Sequence, residues 1–189
     1  PLSIITKQPV FIVAISSAAI GYVVMSYLMT ATPMSMHVID GHSLEQTKFV
    51  IQSHVIAMFL PSLFTPFIVR WLGLTKMMLA GVLIYFVCIM FAYSGHTLNN
   101  YWIALILLGL GWNFLFIGGT SLLPRAYTEP EKFKVQSLND LLIFTTEAIA
   151  IISAGWFVFN YGWEFALLSV TPLLFIQILV LVWWLKTKA

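Results

Sequence analysis

The sequence has little charge and almost no cysteine. Asp, Glu, Lys and Arg make up 8% of its 189 residues, whereas a soluble domain carries about 25%. So few charged groups cannot cover the surface of a soluble globular protein. A disordered chain is also excluded, because 60% of the residues are hydrophobic and 15% are aromatic. Cys88 stands alone and cannot form an internal disulfide, and a net charge of +2 gives no reason to expect nucleic acid as a partner. Most of the surface is therefore predicted to face lipid.

Long apolar segments alternate with short polar breaks along the whole chain. A transmembrane helix needs about 20 mostly apolar residues, so the length allows about six crossings and no separate soluble domain. We predict an all-α integral membrane protein, with residues 1–189 forming a single six-helix transmembrane bundle. The predicted spans are Val10–Met34, Phe49–Val69, Lys76–Ser94, Asn99–Leu123, Gln136–Phe159 and Trp163–Leu185. Pro61 is predicted to bend the second span and Pro172 the sixth.

Basic residues fall on one side of the predicted membrane. With six spans, one face receives only Lys48, and the other receives Lys7, Arg70, Lys76, Arg125, Lys132, Lys134, Lys186 and Lys188. Cytoplasmic loops close to a membrane are enriched in Lys and Arg. We therefore predict a multi-pass protein of the plasma (cell inner) membrane with both termini in the cytoplasm.

Glu147 is the leading candidate for a functional residue. In the fifth span Thr146 follows Asn139 by seven residues and Glu147 follows Asp140 by the same step, which returns to nearly the same helix face. At about 1.5 Å per residue from Gln136, Glu147 lies roughly 16 Å deep, near the bilayer midplane. Intramembrane carboxylates are costly and commonly functional. We predict a proton-coupling or substrate-binding role; the alternative is a protonated carboxyl that only bonds two helices together.

Other polar residues inside spans one, two, four and five are cavity-lining candidates, because polar groups in hydrocarbon need protein or cavity water as partners. They are Thr30, Gln52, His54, Asn113, Thr120, Asp140 and Thr146. Each Thr has a structural alternative, since its hydroxyl can bond its own helix or a neighbour. His54 and Asn113 are equally well explained as cavity-lining groups or as packing groups.

The loop after the first span and the rest of the chain hold no clear metal or cofactor signature. His37, Asp40, His42 and Glu45 lie close together, but nothing fixes the ligand number and geometry that a metal site requires. We interpret them as an ordinary polar loop. The sequence has no H-E-x-x-H, no G-x-S-x-G and no paired intramembrane aspartates, so an enzyme is not expected.

Short matches between the two halves of the chain indicate an internal repeat. Ile51–Ser53 and Val135–Ser137 open the second and fifth spans, and Thr32–Pro33 and Leu123–Pro124 close the spans before them. The matches would relate spans one to three to spans four to six. Because an odd number of crossings inverts the second copy, two inverted three-helix repeats are predicted.

Four segments together resemble a known family. They are Met29–Pro33, Arg70–Lys76, Leu110–Gly119 and Gln136–Asp140, which read MTATP, RWLGLTK, LGWNFLFIGG and QSLND. In this combination the chain resembles the C-terminal six-helix half of a major facilitator superfamily (MFS) transporter, over nearly its whole length.

The resemblance implies a gate loop after the second span. The family's cytoplasmic signature is G-x-x-x-D-R-x-G-R-R, and alignment on Gly73 makes Arg70, Gly73 and Lys76 the gate-loop candidates. The match is degenerate, because Pro66 stands at the first glycine, Arg70 at the acid and Trp71 at the arginine. The gating salt bridge of the family is therefore not expected here.

The resemblance also implies a function. It is secondary active transport of a small organic solute by rocking of two six-helix bundles, with Glu147 as the candidate for proton coupling. The alternative is a non-transporting membrane scaffold or receptor-like module. A lone half would expose its polar residues to lipid, so the expected partners, besides membrane lipid and a small-molecule substrate, are an N-terminal six-helix half or a second copy of the chain.

Overall fold

The computed structural model describes residues 2–188, with side chains through residue 187, and this range contains helices and no strand. The α-helices are α1 (Leu2–Ile5), α2 (Pro9–Pro33), α3 (Leu44–Phe59), α4 (Thr65–Tyr93), α5 (Leu98–Leu122), α6 (Lys132–Tyr161), α7 (Trp163–Ser169) and α8 (Thr171–Lys188). A π-helical turn, Met34–Ile39, extends α2, and 3₁₀ turns lie at Leu60–Phe64, Leu123–Ala126 and Glu129–Glu131. The predicted all-helical bundle is confirmed over this range.

Two helices begin with side-chain caps that the span prediction did not use. Ser43 accepts a hydrogen bond from the amide of Gln46, and the Gln46 side chain returns one to the Ser43 amide. Thr97 and Asn100 make the same reciprocal pair at the start of α5. Such a box satisfies amides that have no partner in the first turn. Its result is that α3 begins at Leu44, before the predicted start of the second span.

Five segments of the described chain are long and apolar enough to cross a membrane, and one of them, Leu44–Tyr93, has 50 residues. At about 1.5 Å per residue this segment is far longer than one crossing needs. Gly73 interrupts it with φ 74° and ψ 160°, a left-handed φ that favours glycine. The segment is therefore two helical passes joined at Gly73.

Contacts with α5 give the direction of the first pass. Trp102 Nε1 donates to Ser53 Oγ at 3.0 Å, and farther along both helices Asn113 Nδ2 donates to Ser62 Oγ at 2.7 Å. Residue numbers increase together on the two sides of this interface. The pass before Gly73 consequently runs parallel to α5.

The second pass has the opposite direction. The Cys88 thiol donates to the Ala104 carbonyl at 3.1 Å, whereas Met78 lies against Gly118. Here the numbers on one helix fall as those on the other rise. The pass after Gly73 is antiparallel to α5, so the five long segments of the described residues make six helical passes.

Contacts of α2 complete the arrangement, since α2 is antiparallel to α5 and α8 and parallel to α6. The pairs that fix these directions are Ser35–Tyr101 and Ala14–Gly119 with α5, Ser26–Glu147 and Met34–Gly155 with α6, and Ser17–Gln177 and Tyr27–Ser169 with the pass that α7 and α8 form. Successive passes therefore alternate in direction. Inverted repeats require this alternation, but other bundles share it, and the repeat relation stays a prediction.

The alternation gathers the positive charge at one end of the bundle, which we call the basic end. It carries Lys7, Arg70, Lys76, Arg125, Lys132, Lys134 and Lys186, and the side chain of Lys188 lies outside the described set. Lys48 lies at the opposite end and pairs there with Glu45. The separation of charge predicted from the sequence is present in the fold.

The long helices form two layers. The first layer contains α3, α5, α2 and α6 side by side in that order. In the second layer, the part of α4 after Gly73 packs on α5, and α8 packs on α2 and contacts α4. The side of the first layer that faces away from α4 and α8 is covered by no helix of the described chain. We call this open side the inner face. The residues on it include Tyr22, Gln52, Phe59, Phe144 and Glu147.

Prolines interrupt the passes where the sequence predicts. Pro61 lies in the 3₁₀ turn Leu60–Phe64, which separates α3 from α4. The sixth pass is divided at Val170 into α7 and α8, and Pro172 is the second residue of α8. Proline has no amide hydrogen and cannot continue the regular helical bonding through these points.

Candidate functional site

Glu147 lies in the middle of α6, on the side that faces α2. Its side chain is partly exposed, and its Oε1 accepts a 2.7 Å hydrogen bond from the hydroxyl of Ser26, which is 4% exposed. Among residues 2–187 no Lys, Arg or His forms an ion pair with it. A hydroxyl can donate to a carboxylate and accept from a carboxylic acid. The pair can therefore stay hydrogen-bonded whether Glu147 is ionised or protonated.

Five aromatic rings lie beside this pair, and we call them the aromatic wall: Tyr22 on α2, Phe59 on α3, Trp112 and Phe116 on α5, and Phe144 on α6. Tyr22 is at the centre, with its ring centroid 5.3 Å from Trp112, 5.0 Å from Phe116 and 6.1 Å from Phe144, each edge to face. Phe59 meets Trp112 at 5.8 Å, and Trp112 stacks on Phe116 at 5.0 Å. The wall thus connects α2, α3, α5 and α6, the four helices that form the inner face.

The wall is buried at its centre and open at its edges. Trp112 is 3% exposed, whereas Phe59 is 58% and Phe144 is 56% exposed. The buried Trp112 Nε1 has no hydrogen-bond acceptor among the described residues. Tyr22 lies four residues before Ser26 and Phe144 three before Glu147, so one helical turn separates the wall from the carboxylate.

Two of the predicted cavity-lining residues, Gln52 and Asp140, lie on the inner face. Gln52 is exposed seven residues before Phe59, whereas Thr30 is partly buried between Ser26 and Met34, on the side of α2 that packs against α6. Asp140 is exposed seven residues before Glu147 and accepts a 3.0 Å hydrogen bond from Asn139. These positions give the inner face polar groups around the aromatic wall.

His54 and Asn113 lie between helices instead. His54 is fully buried, and its Nδ1 donates to the Leu105 carbonyl at 2.8 Å, while its Nε2 has no partner among the described residues. Asn113 Nδ2 donates to the Met58 carbonyl and to Ser62 Oγ, both at 2.7 Å. These acceptors lie where the helix is interrupted around Pro61, so Asn113 holds the interruption together.

Thr120 and Thr146 bond their own helices. Thr120 Oγ1 donates to the Phe116 carbonyl at 2.8 Å, and Thr146 Oγ1 donates to the Leu142 carbonyl at 2.8 Å. Thr146 also lines a cavity of about 410 Å³ between α2, α6 and α7, which Tyr27 and Ser169 line as well. Thr146 therefore contacts a different space from the one beside the aromatic wall.

The gate-loop candidates lie at the basic end. Arg70 and Lys76 are exposed, and Arg70 forms no ion pair within the described part of the chain. Gly73 makes the reversal between the two passes, and a cavity of about 370 Å³ beside it is lined in part by Lys76 and Arg125. The loop is a tight reversal surrounded by positive charge.

The opposite end holds a cluster that the sequence did not predict, and we call it the imidazole clasp: Asp40, His96 and Glu164. His96 Nδ1 lies 2.8 Å from Asp40 Oδ2 and His96 Nε2 lies 2.9 Å from Glu164 Oε1. The hydrogen bond to Asp40 raises the pKa of His96 most, the bond to Glu164 raises it further, and partial burial opposes both. Tyr101 also donates to Asp40 Oδ2 at 2.6 Å.

The clasp joins three connections that are far apart in the sequence. His42 Nε2 adds a 2.8 Å hydrogen bond to the His96 carbonyl, and His37 Nδ1 donates to the His42 carbonyl at 2.7 Å. Of the four residues predicted to form a polar loop, His37 lies in the π-helical turn, Glu45 lies in the first turn of α3, and Asp40 and His42 lie between them; His37, Asp40 and His42 form these hydrogen bonds. Proximity in sequence identified this loop, but nothing local indicated His96 as its partner.

Comparison with known proteins gives three relatives. The chain is 36% identical over 188 residues to the riboflavin transporter RfnT of Brucella anthropi, a match that covers 100% of this chain and 47% of the relative. Two uncharacterized MFS-type transporters of Bacillus subtilis also match: YdeG is 37% identical over 138 residues (72% of this chain, 32% of the relative) and YddS is 31% identical over 166 residues (86% and 38%). The chain spans less than half the length of each. No protein-family model and no solved structure matches it.

Proposed function

Because the chain belongs to the major facilitator superfamily, we propose that it is the C-terminal six-helix half of a secondary active transporter. The inner face supports this. Phe59, Phe144, Gln52 and Asp140 are exposed there with no helix of the described chain over them. A second six-helix bundle, either an N-terminal half or another copy, covers such a face, and rocking of the two bundles exposes a site between them alternately to each side.

Glu147 is the proton-coupling group of the proposed transporter. The observation that carries this assignment is the Ser26–Glu147 hydrogen bond, which holds a carboxyl group in the middle of a membrane-spanning helix without a cationic partner among the described residues. Ionisable groups at membrane depth mark proton relays in pumps and transporters. Alternating access opens the site to each side of the membrane once per cycle, so a proton that Glu147 carries crosses together with the solute.

The transported solute is a small organic molecule, and riboflavin is the first to test. The relative from Brucella anthropi that matches the whole of this chain is a riboflavin transporter. We extend that substrate to the full-length protein containing this chain. The aromatic wall, next to Glu147, is consistent with a solute that carries both rings and polar groups.

Uptake into proteoliposomes tests the proposal. The full-length protein is reconstituted, and riboflavin uptake is measured with and without an inward proton gradient. We expect the gradient to stimulate uptake, Glu147→Gln to abolish the stimulation, and Glu45→Gln, which changes an exposed acid at the opposite end, to preserve it. No uptake of riboflavin or of any other solute in a broad panel would refute the transporter and favour a scaffold or receptor-like module.

Both termini are proposed to lie in the cytoplasm, with the protein in the plasma membrane. The support is the basic end, where the loops next to the membrane carry the Lys and Arg side chains. A cysteine introduced at Glu129, in the 3₁₀ turn of that end, should be protected from an impermeant maleimide in intact cells, whereas one at Glu45 should react. The reverse pattern would invert the topology. Cys88 is buried and does not interfere.

A further inference from the structure

Aromatic side chains that only fill a core are normally covered by the core. The aromatic wall differs, because two of its five rings, Phe59 and Phe144, remain more than half exposed at its edges. Both rings lie on the inner face, where the proposed function places the solute. The wall therefore has ring area that remains uncovered in this half, one helical turn from the carboxyl group of Glu147.

We propose that the aromatic wall binds the flat, fused-ring part of the transported solute, and that Glu147 binds a hydrogen-bond donor on the same solute. The inference rests on the proposed transport function and adds the class of substrate and the residues that select it. Aromatic rings prefer offset-stacked or edge-to-face partners at about 4.5–7 Å between centroids. A flat ring system placed between Phe59 and Phe144 extends the existing contacts of Tyr22 and Phe116 with the same geometry.

The extent of the wall favours a heterocycle over an organic cation. A cation would also be attracted to ring faces and to a carboxylate. However, a compact ammonium group covers little of a surface built from rings on four helices, whereas a flat fused heterocycle with ring N–H groups covers several rings and offers a donor to Glu147. On α6 one helical turn separates Phe144 from Glu147, and on α2 one turn separates Tyr22 from Ser26, which donates to Glu147. The wall and the carboxyl group are therefore within reach of one such molecule.

Equilibrium binding to the detergent-solubilised full-length protein tests the class of solute. The probes are riboflavin, lumichrome (the fused rings without the sugar alcohol), ribitol (the sugar alcohol alone) and tetraethylammonium. We expect riboflavin and lumichrome to bind with dissociation constants within about ten-fold of each other, a difference of about 1.4 kcal/mol, and the other two not to compete. Tighter binding of ribitol or tetraethylammonium, or no saturable binding of either ring compound, would overturn the inference.

A matched pair of variants tests the residues. Phe144→Leu removes an edge of the wall, and Phe175→Leu makes the same change at a ring that is 59% exposed and packs on Phe86 in the other layer. Phe144→Leu should weaken lumichrome binding by about three- to ten-fold, and Phe175→Leu should leave it unchanged. Phe116→Leu should also weaken it.

The outcomes separate this inference from the proposed function. If riboflavin is transported and both wall variants bind lumichrome as tightly as the Phe175→Leu control, transport stands and the wall is not the binding surface. If lumichrome binds in a wall-dependent way but no solute is taken up, the binding surface stands and secondary transport fails.

Discussion

The hydroxyl of Ser26 donates a 2.7 Å hydrogen bond to the carboxyl group of Glu147, across 121 residues of sequence and between two parallel passes of the bundle. This contact fixes the position of the carboxyl group at the open edge of the contact between α2 and α6. Glu147 is thus held by the C-terminal half itself and still faces the space that a second half would close.

The first prediction concerns Ser26. Ser26→Ala removes the donor to Glu147, and hydrogen bonds to charged groups contribute about 1.5–3 kcal/mol, so proton-stimulated uptake should fall by roughly ten- to a hundred-fold. Ser16→Ala is the matched control on the same helix, because the Ser16 hydroxyl bonds only its own backbone, at Val13. Equal uptake by the two variants would show that the contact with Ser26 plays no part in coupling.

A second prediction concerns the dependence of stability on pH. The hydrogen bonds to Asp40 and Glu164 raise the pKa of His96 in the folded protein above its unfolded value. The stabilisation is therefore complete below the unfolded value, about 6.5, and is lost as the pH rises through the higher folded value. The melting temperature of wild type should exceed that of His96→Gln at pH 5.5 and approach it at alkaline pH.

The control for the clasp is His37→Gln, which removes an imidazole from the same end without touching Asp40 or Glu164. The difference in melting temperature between wild type and His37→Gln should not change with pH as it does for His96→Gln. A difference in melting temperature between wild type and His96→Gln that stays constant from pH 5.5 to 9 would contradict a charged clasp.

The third prediction concerns the interruption around Pro61. Asn113→Ala leaves the Met58 carbonyl and the Ser62 hydroxyl without their donor, and an unsatisfied buried polar group costs about 1–3 kcal/mol. The melting temperature should fall accordingly. Asn160→Ala removes an exposed amide that bonds only its own helix, at Trp156, and should change it little. The reverse order would show that Asn113 is not the residue that holds the interruption.

The fourth prediction concerns the reversal at Gly73. A Cβ at this position would meet no atom within 4 Å, so only the left-handed backbone opposes a side chain there. Gly73→Ala should cost about 1–3 kcal/mol of folding free energy, because φ 74° with ψ 160° is a backbone conformation that is essentially restricted to glycine. Gly155→Ala, inside α6 and beside the flexible end of Met34, should be close to neutral in the same thermal unfolding assay. An equal effect of both substitutions would mean that the backbone at position 73 does not require glycine.

Local patterns in the sequence predicted the parts of the fold that depend on local physics. The length of the apolar segments predicted the number of passes, Pro61 predicted an interruption, and the Lys and Arg residues identified one end of the bundle. A predicted helix boundary differed from the observed one where the prediction did not use a local signal, as at the Ser43 cap. The helix of the first span also continues, as a π-helical turn, to Ile39, through residues that the hydropathy pattern assigns to a loop.

The candidate site depended on contacts that no local pattern contains. The depth of Glu147 follows from counting residues, but its donor Ser26 follows only from the packing of α2 on α6. In the same way, Tyr22 and Phe144 are ordinary apolar positions in their own helices, and they become one surface only in the bundle. His96 is a single polar residue between two spans until the fold brings Asp40 and Glu164 to it.

The most direct test of the account is the movement of protons with the solute. Riboflavin is added outside proteoliposomes that contain the full-length protein and a trapped pH indicator, with no gradient imposed. Wild type should change the internal pH as riboflavin enters. Glu147→Gln, whose amide oxygen still accepts a hydrogen bond from the solute, should bind riboflavin without changing the internal pH. A change of internal pH by Glu147→Gln equal to that of wild type would contradict the role of Glu147 as the coupling group.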